Sequence, residues 1–233
     1  MTEKKSAGPL AGIKVLELGT LIAGPFCSRI LAEFGAEVIK VEAPEVGDPI
    51  RQWRVLKDGT SLWWYVQSRN KKSVTLNMKD SRAQEIARKL ALDADIVIEN
   101  YRPGVLEKWG IGYDDLKKIN PASIMVRLSG YGQTGPMKDL PGFGAIGESM
   151  GGMRYVSGHP DRPPVRIGIS IGDSLAALHG ALGALMALRH RDVTGGRWNG
   201  KEGVECVAGQ GQMVDVALYE AVFNMMESLV PEF

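Results

Sequence analysis

Short apolar runs alternate with helix-spaced stretches through the first half of this 233-residue chain, and that alternation leaves few folds open. Residues 13–18, 37–42, 96–99 and 124–128 read as buried strands. Residues 25–34 and 81–92 carry helical spacing, and 104–109 and 114–119 read as short helices between strands. Strand-then-helix repetition predicts a largely parallel sheet with helices on its faces, and ligands on such sheets lie beyond the carboxyl ends of the strands. Those ends carry Gly19-Thr20-Leu21-Ile22-Ala23-Gly24-Pro25, Glu42-Ala43-Pro44, Asn100-Tyr101-Arg102-Pro103-Gly104 and Ser129-Gly130-Tyr131-Gly132-Gln133.

The first of these turns is where a dinucleotide fingerprint would sit, but Gly19 and Gly24 are separated by four residues with Pro25 following. The G-x-G-x-x-G spacing is therefore absent, and no Gly-Lys-Ser or Gly-Lys-Thr makes a phosphate loop. Two glycine-rich stretches remain: 142–152 reads as a hinge or lid, and 195–211 as a flexible surface connection. Residues 213–229 are apolar again and read as helical. With 28 basic and 27 acidic residues the net charge is +1, which argues against nucleic-acid binding by bulk electrostatics and makes any anion site local. Cys27 and Cys206 lack a paired spacing, so neither a disulfide framework nor a metal site is suggested, and a reducing compartment fits. No run approaches the roughly 18 uninterrupted apolar residues of a membrane span, and the expectation is a cytoplasmic protein.

One carboxylate stands apart. Asp173 closes the stretch Val165-Arg166-Ile167-Gly168-Ile169-Ser170-Ile171-Gly172-Asp173, and beyond it Leu175, Leu178, Leu182, Leu185 and Met186 recur at helical spacing among alanines and glycines. That puts Asp173 at or next to the N-cap of a closely packed helix, where the dipole favours its ionised form by about 0.3–1 kcal/mol. An ionised carboxylate can attack an acyl group. Aspartate is also among the commonest N-cap residues, and capping alone would account for it.

Several segments together resemble the class III CoA-transferase family, which includes formyl-CoA transferase, carnitine CoA-transferase and the α-methylacyl-CoA racemases. The resemblance runs from Pro9-Leu10-Ala11-Gly12-Ile13-Lys14-Val15-Leu16-Glu17-Leu18 through Ala23-Gly24-Pro25, Gly35-Ala36-Glu37-Val38-Ile39-Lys40-Val41-Glu42 and Gly47-Asp48. It continues at Asn70-Lys71-Lys72-Ser73, at 95–104, at 129–136 and at Asp173. It implies an α/β fold with an open, mostly parallel, Rossmann-like sheet and helices on both faces. It also implies a large CoA-binding and catalytic domain over 1–212, with 213–233 a helix leading to the linker of a second, small domain absent from this chain. Asp173 would be the nucleophile of CoA transfer from an acyl-CoA to a carboxylic acid, through an aspartyl anhydride and an aspartyl-CoA thioester, with coenzyme A as substrate and no metal.

Position by position, the resemblance places Thr20, Leu21, Ile22 and Ala23 at the pantetheine and thioester end. Leu76, Lys79, Asn100, Tyr101, Val105 and Lys108 fall near the nucleotide, and Phe143 with them among the CoA contacts. Leu76, Val105 and Ala23 could equally be core, whereas an aromatic and a cation such as Tyr101 and Lys108 have less structural reason to stand at a strand end. Where the racemases carry a His and an Asp for proton exchange, this chain has Phe143 and Gly144, which can exchange none, so racemisation is disfavoured. Formyl-CoA transferase has a Tyr and a Glu at those positions; Glu148 could partly substitute, but reads first as a solvated or helix-capping acid in the glycine-rich lid. Ala43 and Ile22 replace an Arg and a Gln of formyl-CoA transferase, and 196–208 looks like an insertion. Small or dicarboxylic acyl groups are the expected donors, with Arg154, Arg162 and Arg166 available for a second carboxylate. An interlocked homodimer, or a fragment or split subunit that binds CoA and needs a partner for catalysis, completes the set of expectations.

Overall fold

The computed structural model describes residues 8–200, 208–229 and 231–232. From β1 (Lys14–Glu17) the chain enters α1 (Ala23–Glu33) and returns as β2 (Glu37–Glu42). A 3-10 turn at Pro49–Gln52 and a tight hairpin, β3 (Leu56–Lys57) with β4 (Thr60–Ser61), lead to α2 (Leu62–Gln67) and β5 (Lys71–Thr75). Then follow α3 (Ser81–Asp93), β6 (Ile96–Glu99), α4 (Val105–Lys108), α5 (Tyr113–Lys117), β7 (Ile124–Ser129), α6 (Gly144–Met150) and α7 (Ile171–Thr194). The last elements are β8 (Met213–Ala217) and α8 (Leu218–Phe223).

Six strands join in the order β5-β2-β1-β6-β7-β8, and every pairing is parallel. Chain order runs outward from β1 on one side and from β6 on the other, so the topology switches between these two strands and opens a crevice at their carboxyl ends. The period-2 alternation of strand side chains divides the core cleanly. Val15, Ile96, Ile98, Ile124, Val126 and Leu128 face α1 and α7, while Leu16, Val97 and Met125 face α3, α4 and α5. The expected α/β sheet with helices on both faces is thus present.

α7 runs 24 residues and is apolar enough to satisfy the length rule for a membrane span. Its buried face is made of Ala176, Ala177, Ala181, Ala184 and Ala187, small enough to let the helix lie close on β7 and α1.

Two expectations about elements are corrected. Residues 213–229 are not one helix: 213–217 form β8, hydrogen-bonded in register beside β7 from Met125↔Met213 to Ser129↔Ala217, before α8 begins. The strand belongs to the sheet built by the preceding residues, and its Met-Val-Asp-Val-Ala composition had merged with the apolar helix behind it. The 142–152 stretch holds a real helix, α6, packed on α7 and α8. Of the 195–211 connection, Gly209 and Gly211 are buried and tied to Gly196 and Pro121 by backbone hydrogen bonds, so its far end is packed; residues 201–207 of the suggested insertion lie outside the described residues.

Under the crevice lies a knot of buried charge. Lys40, on β2 and 1% exposed, reaches Glu17 Oε1 (2.6 Å), Asp48 Oδ2 (2.8 Å) and the Gly19 carbonyl (2.9 Å). Lys71 on β5 meets Glu17 Oε2 (2.8 Å) and the Pro25 carbonyl (2.7 Å), and Ser28 donates to the same carboxylate oxygen. Burial pushes the Glu17 carboxyl upward, but the two ammoniums outweigh it and hold it below the ordinary range. Removing one partner of such a cluster strands the others without water. Lys40→Met is expected to cost about 3–5 kcal/mol in urea unfolding; a loss within 1 kcal/mol would show that the cluster carries no such weight.

Candidate active site

The β1–α1 turn is held from three directions. Asn100, just past β6, accepts from the Thr20 amide (2.8 Å) and donates to the Thr20 carbonyl (2.9 Å). Asp48 accepts from the Leu21 amide through both oxygens (3.1 and 3.2 Å) and caps the 3-10 turn through the Ile50 amide (2.9 Å). Leu21 adopts φ 65°, a left-handed conformation that non-glycine residues hold only when surroundings over-determine it. Asn100 packs so close that a Cβ on Gly19 would come within 2.7 Å of its Oδ1. Asp48 is itself fixed by Lys40 and by Glu42, which accepts from the Asp48 amide and pairs with Arg51 at 2.7 and 2.9 Å. Burial raises the Glu42 carboxyl, yet the Arg51, Ser73 and Asp48 hydrogen bonds bring it down to about 2.

This turn forms one wall of a cavity of about 460 Å³ at the carboxyl edge of the sheet. Opposite it stand Leu140 to Ala145 ahead of and within α6, and from the side Ser170 and Asp173 at the start of α7. Asp173 is not the N-cap: Ser170 holds that position, and Asp173 is the third helical residue, half-buried, its carboxylate accepting from its own backbone amide. Burial pushes its carboxyl up to about 6, with the Glu148 charge adding to the rise and Arg166 pulling the other way. The group is ionised near neutral pH but held in a poorly solvated setting, which makes it a candidate functional carboxylate.

Gly144 explains how that carboxylate is seated. A Cβ at position 144 would overlap Asp173 Oδ2, so only glycine lets α6 approach the acid. Glu148, on the next turn of α6, corrects its expected role. It is completely buried, neither solvated nor a cap, with Arg154 Nε 3.5 Å and Arg166 Nε 3.8 Å from its two oxygens and no hydrogen bond to either oxygen.

Of the residues singled out from the sequence, Thr20, Leu21, Ile22, Ala23, Asn100, Tyr101, Phe143 and Asp173 line this one cavity. Leu76, Lys79, Val105 and Lys108 do not; they follow the carboxyl ends of β5 and β6 outside it, with Leu76 packed on the core and both lysines exposed. Tyr101 has more structural reason for its place than its sequence position suggested: its ring meets Trp109 edge-on at 5.2 Å, and burial pushes its phenol up to about 12. The sequence reading assigned no role to Arg102, Ser129, Gly130 and Lys138, which also line the cavity. Their signal was their place at the ends of β6 and β7 or just before α6, which the strand-end rule marks without ranking one residue above another. A second cavity, about 400 Å³, opens at the opposite edge around Asp95, Arg191 and Arg197, whose charges already satisfy one another.

A half-buried carboxylate opening on a crevice at the carboxyl edge of a parallel sheet defines an α/β protein with a candidate ligand site at its topological switch point. Residues 10–232 match CoA-transferase family III, and the chain belongs to that family. It is similar to the succinyl-CoA–D-citramalate CoA-transferase of Chloroflexus aurantiacus, 51% identical over the whole of this chain and 55% of that protein. It is also similar to the beta subunit of that organism's succinyl-CoA–L-malate CoA-transferase, at 45% over 97% of this chain and 53% of the other. Among solved structures, a CAIB/BAIF family protein from Brucella suis superposes with a TM-score of 0.86 at 33% identity, over 97% of this chain and 57% of that one. The chain spans about half the length of these relatives.

Two outcomes follow from the seating of Asp173. Gly144→Ala displaces the carboxylate by the width of a methyl group, and the kcat of the CoA transfer proposed below is expected to fall about 100-fold with folding intact by circular dichroism; an unchanged kcat would mean the contact is not needed. Because the native carboxyl titrates near 6 rather than 3.8, the folded protein holds that proton more tightly than the unfolded chain, and stability falls as pH rises across that interval. Asp173→Asn is therefore expected to raise unfolding stability by roughly 1–2 kcal/mol at pH 8 and hardly at all at pH 4, checked by urea titration at both.

Proposed function

We propose that this chain provides the CoA-binding, nucleophile-bearing part of a class III CoA-transferase that moves CoA from a dicarboxylic acyl-CoA, succinyl-CoA foremost, to a carboxylic acid. The observation that carries the reading is Asp173, half-buried in the first turn of α7 and opening on the cavity with Phe143 and Gly144, rather than a proton-exchanging pair, across from it. Asp173 attacks the thioester carbonyl, the C–S bond breaks, and CoA leaves as thiolate from an acyl-aspartyl anhydride. The thiolate attacks the aspartyl carbonyl of that anhydride, releasing the first carboxylate and leaving an aspartyl-CoA thioester. The acceptor carboxylate attacks this thioester, and the thiolate then takes the acceptor's acyl carbon and frees Asp173. No step gains or loses a proton, which suits a site whose facing positions carry a phenyl ring and a hydrogen.

The β1–α1 turn, Asn100 and Tyr101 hold the pantetheine arm in this reading, with Leu76, Lys79, Val105 and Lys108 along the edge toward the nucleotide. Exposed leucines at 178, 182 and 185 with Met186 form a stripe along the outer face of α7, at spacing that supports a second copy packing there in a homodimer. The succinyl donor comes from the relatives' activities, and a cytoplasmic setting from the composition.

The test is partial exchange. Labelled succinate should enter succinyl-CoA in the full-length protein with no other acceptor present, the rate rising with pH to a plateau about a midpoint of 6, the pH at which half of Asp173 is ionised. Asp173→Ala should lose about 10⁴-fold or more; an active variant overturns the assignment. Deuterium wash-in at the α-carbon of a 2-methylacyl-CoA, without exchange, would point instead to a racemase. CoA binding by this chain without exchange, restored by a second polypeptide, would identify a split enzyme.

A further inference from the structure

Glu148 is an anomaly that the transferase steps leave unused. It is 0% exposed, sits one turn along α6 from the residue that seats Asp173, and has two oxygens with no hydrogen bond. A buried carboxylate without hydrogen bonds is costly, and charge pairing is what sustains it. Two guanidiniums supply that pairing from a distance: Arg154 at 3.5 Å, itself largely buried, and Arg166 at 3.8 Å, whose side chain is 55% exposed. One negative charge is thus divided between two positive ones, and the remainder falls on the cation with free surface. Arg166, and not Arg154, lines the cavity that contains Asp173. Its charge also reaches Asp173.

Acylation changes this balance. As a carboxylate, Asp173 adds its field to that of Glu148 at Arg166; as an anhydride or thioester it is neutral, and that contribution is lost. A carboxylate at the far end of the bound acyl group would restore the lost charge at that moment. An acyl group ending in a methyl would not.

Building on the transferase reading, we propose that Arg166 receives the distal carboxylate of a dicarboxylic acyl group, with buried Glu148 as the positioning residue that aims its guanidinium into the cavity. Arg102 and Lys138 line the same cavity, but neither shares an acid with the nucleophile's surroundings. A planar guanidinium whose Nε faces Glu148 at 3.8 Å keeps its terminal N–H donors for a bidentate carboxylate, which an ammonium cannot match.

The experiment compares succinyl-CoA with butyryl-CoA, equal in chain length and differing in the terminal carboxylate, as donors to one acceptor in the full-length protein. The ratio of their kcat/KM values is expected to fall about 10- to 100-fold in Arg166→Gln, with partial recovery in Arg166→Lys. Glu148→Gln should lower the ratio too, by freeing the guanidinium. Arg162→Gln, on the exposed loop outside the cavity lining, should keep it. A wild type that transfers CoA from neither donor overturns the transferase reading and this inference with it. An active wild type whose ratio survives Arg166→Gln, or drops equally in Arg162→Gln, overturns this inference alone.

Discussion

A single ammonium group, Lys40 Nζ, ties together the parts that make the crevice usable. It sits inside the sheet between Glu17 on β1, Asp48 beyond β2 and the carbonyl of Gly19, the first residue of the turn that walls the cavity. Taking these charges out of water is expensive, and replacing them all with apolar groups would often serve stability as well. What the charges provide is position. Asp48, pinned by Lys40, accepts from the Leu21 amide with both its oxygens, and that contact helps to keep Leu21 in a left-handed conformation. Without that chain of contacts the turn would relax toward ordinary backbone geometry, and the wall of the cavity would move with it.

The Asp173 carboxylate depends on a contact of the opposite kind, a missing side chain. Gly144 leaves room for the Asp173 carboxylate against α6, and the resulting burial keeps the group near the edge of ionisation at neutral pH. The cost of that placement falls on the fold and the benefit on the chemistry, a trade common where reactivity needs a poorly solvated charge. Charge pairing around Glu148 completes the setting. The buried carboxylate and its two arginines give the cavity a polarity that does not come from the strand ends.

Much of this was readable before any coordinates. Strands with β-branched runs, such as 96–99 and 124–128, and helices with regular spacing announced themselves because burial on both faces of a parallel sheet demands such runs. β5 did not: Lys71-Lys72-Ser73-Val74-Thr75 is an edge strand, mostly exposed, and edge strands are written in polar residues. β8 was hidden by its continuity with an apolar helix. Asp173 could be singled out because it follows a glycine-rich run into a long helix, but its place inside the helix rather than at the cap is set by Ser170's backbone. Glu148 resisted sequence reading altogether, since an acid among glycines looks solvated until α7 and α8 are seen to close over it.

The proposed transfer turns on one covalent event at Asp173, and mass spectrometry reads it directly. Full-length protein incubated with succinyl-CoA and hydroxylamine, then digested, is expected to carry a hydroxamate on the peptide containing Asp173 and nowhere else, because among the protein's carboxyl groups only one activated as an anhydride or thioester reacts with hydroxylamine. A protein that turns over succinyl-CoA yet shows no modification, or shows it on a different acid, would contradict the assignment of Asp173 as the nucleophile.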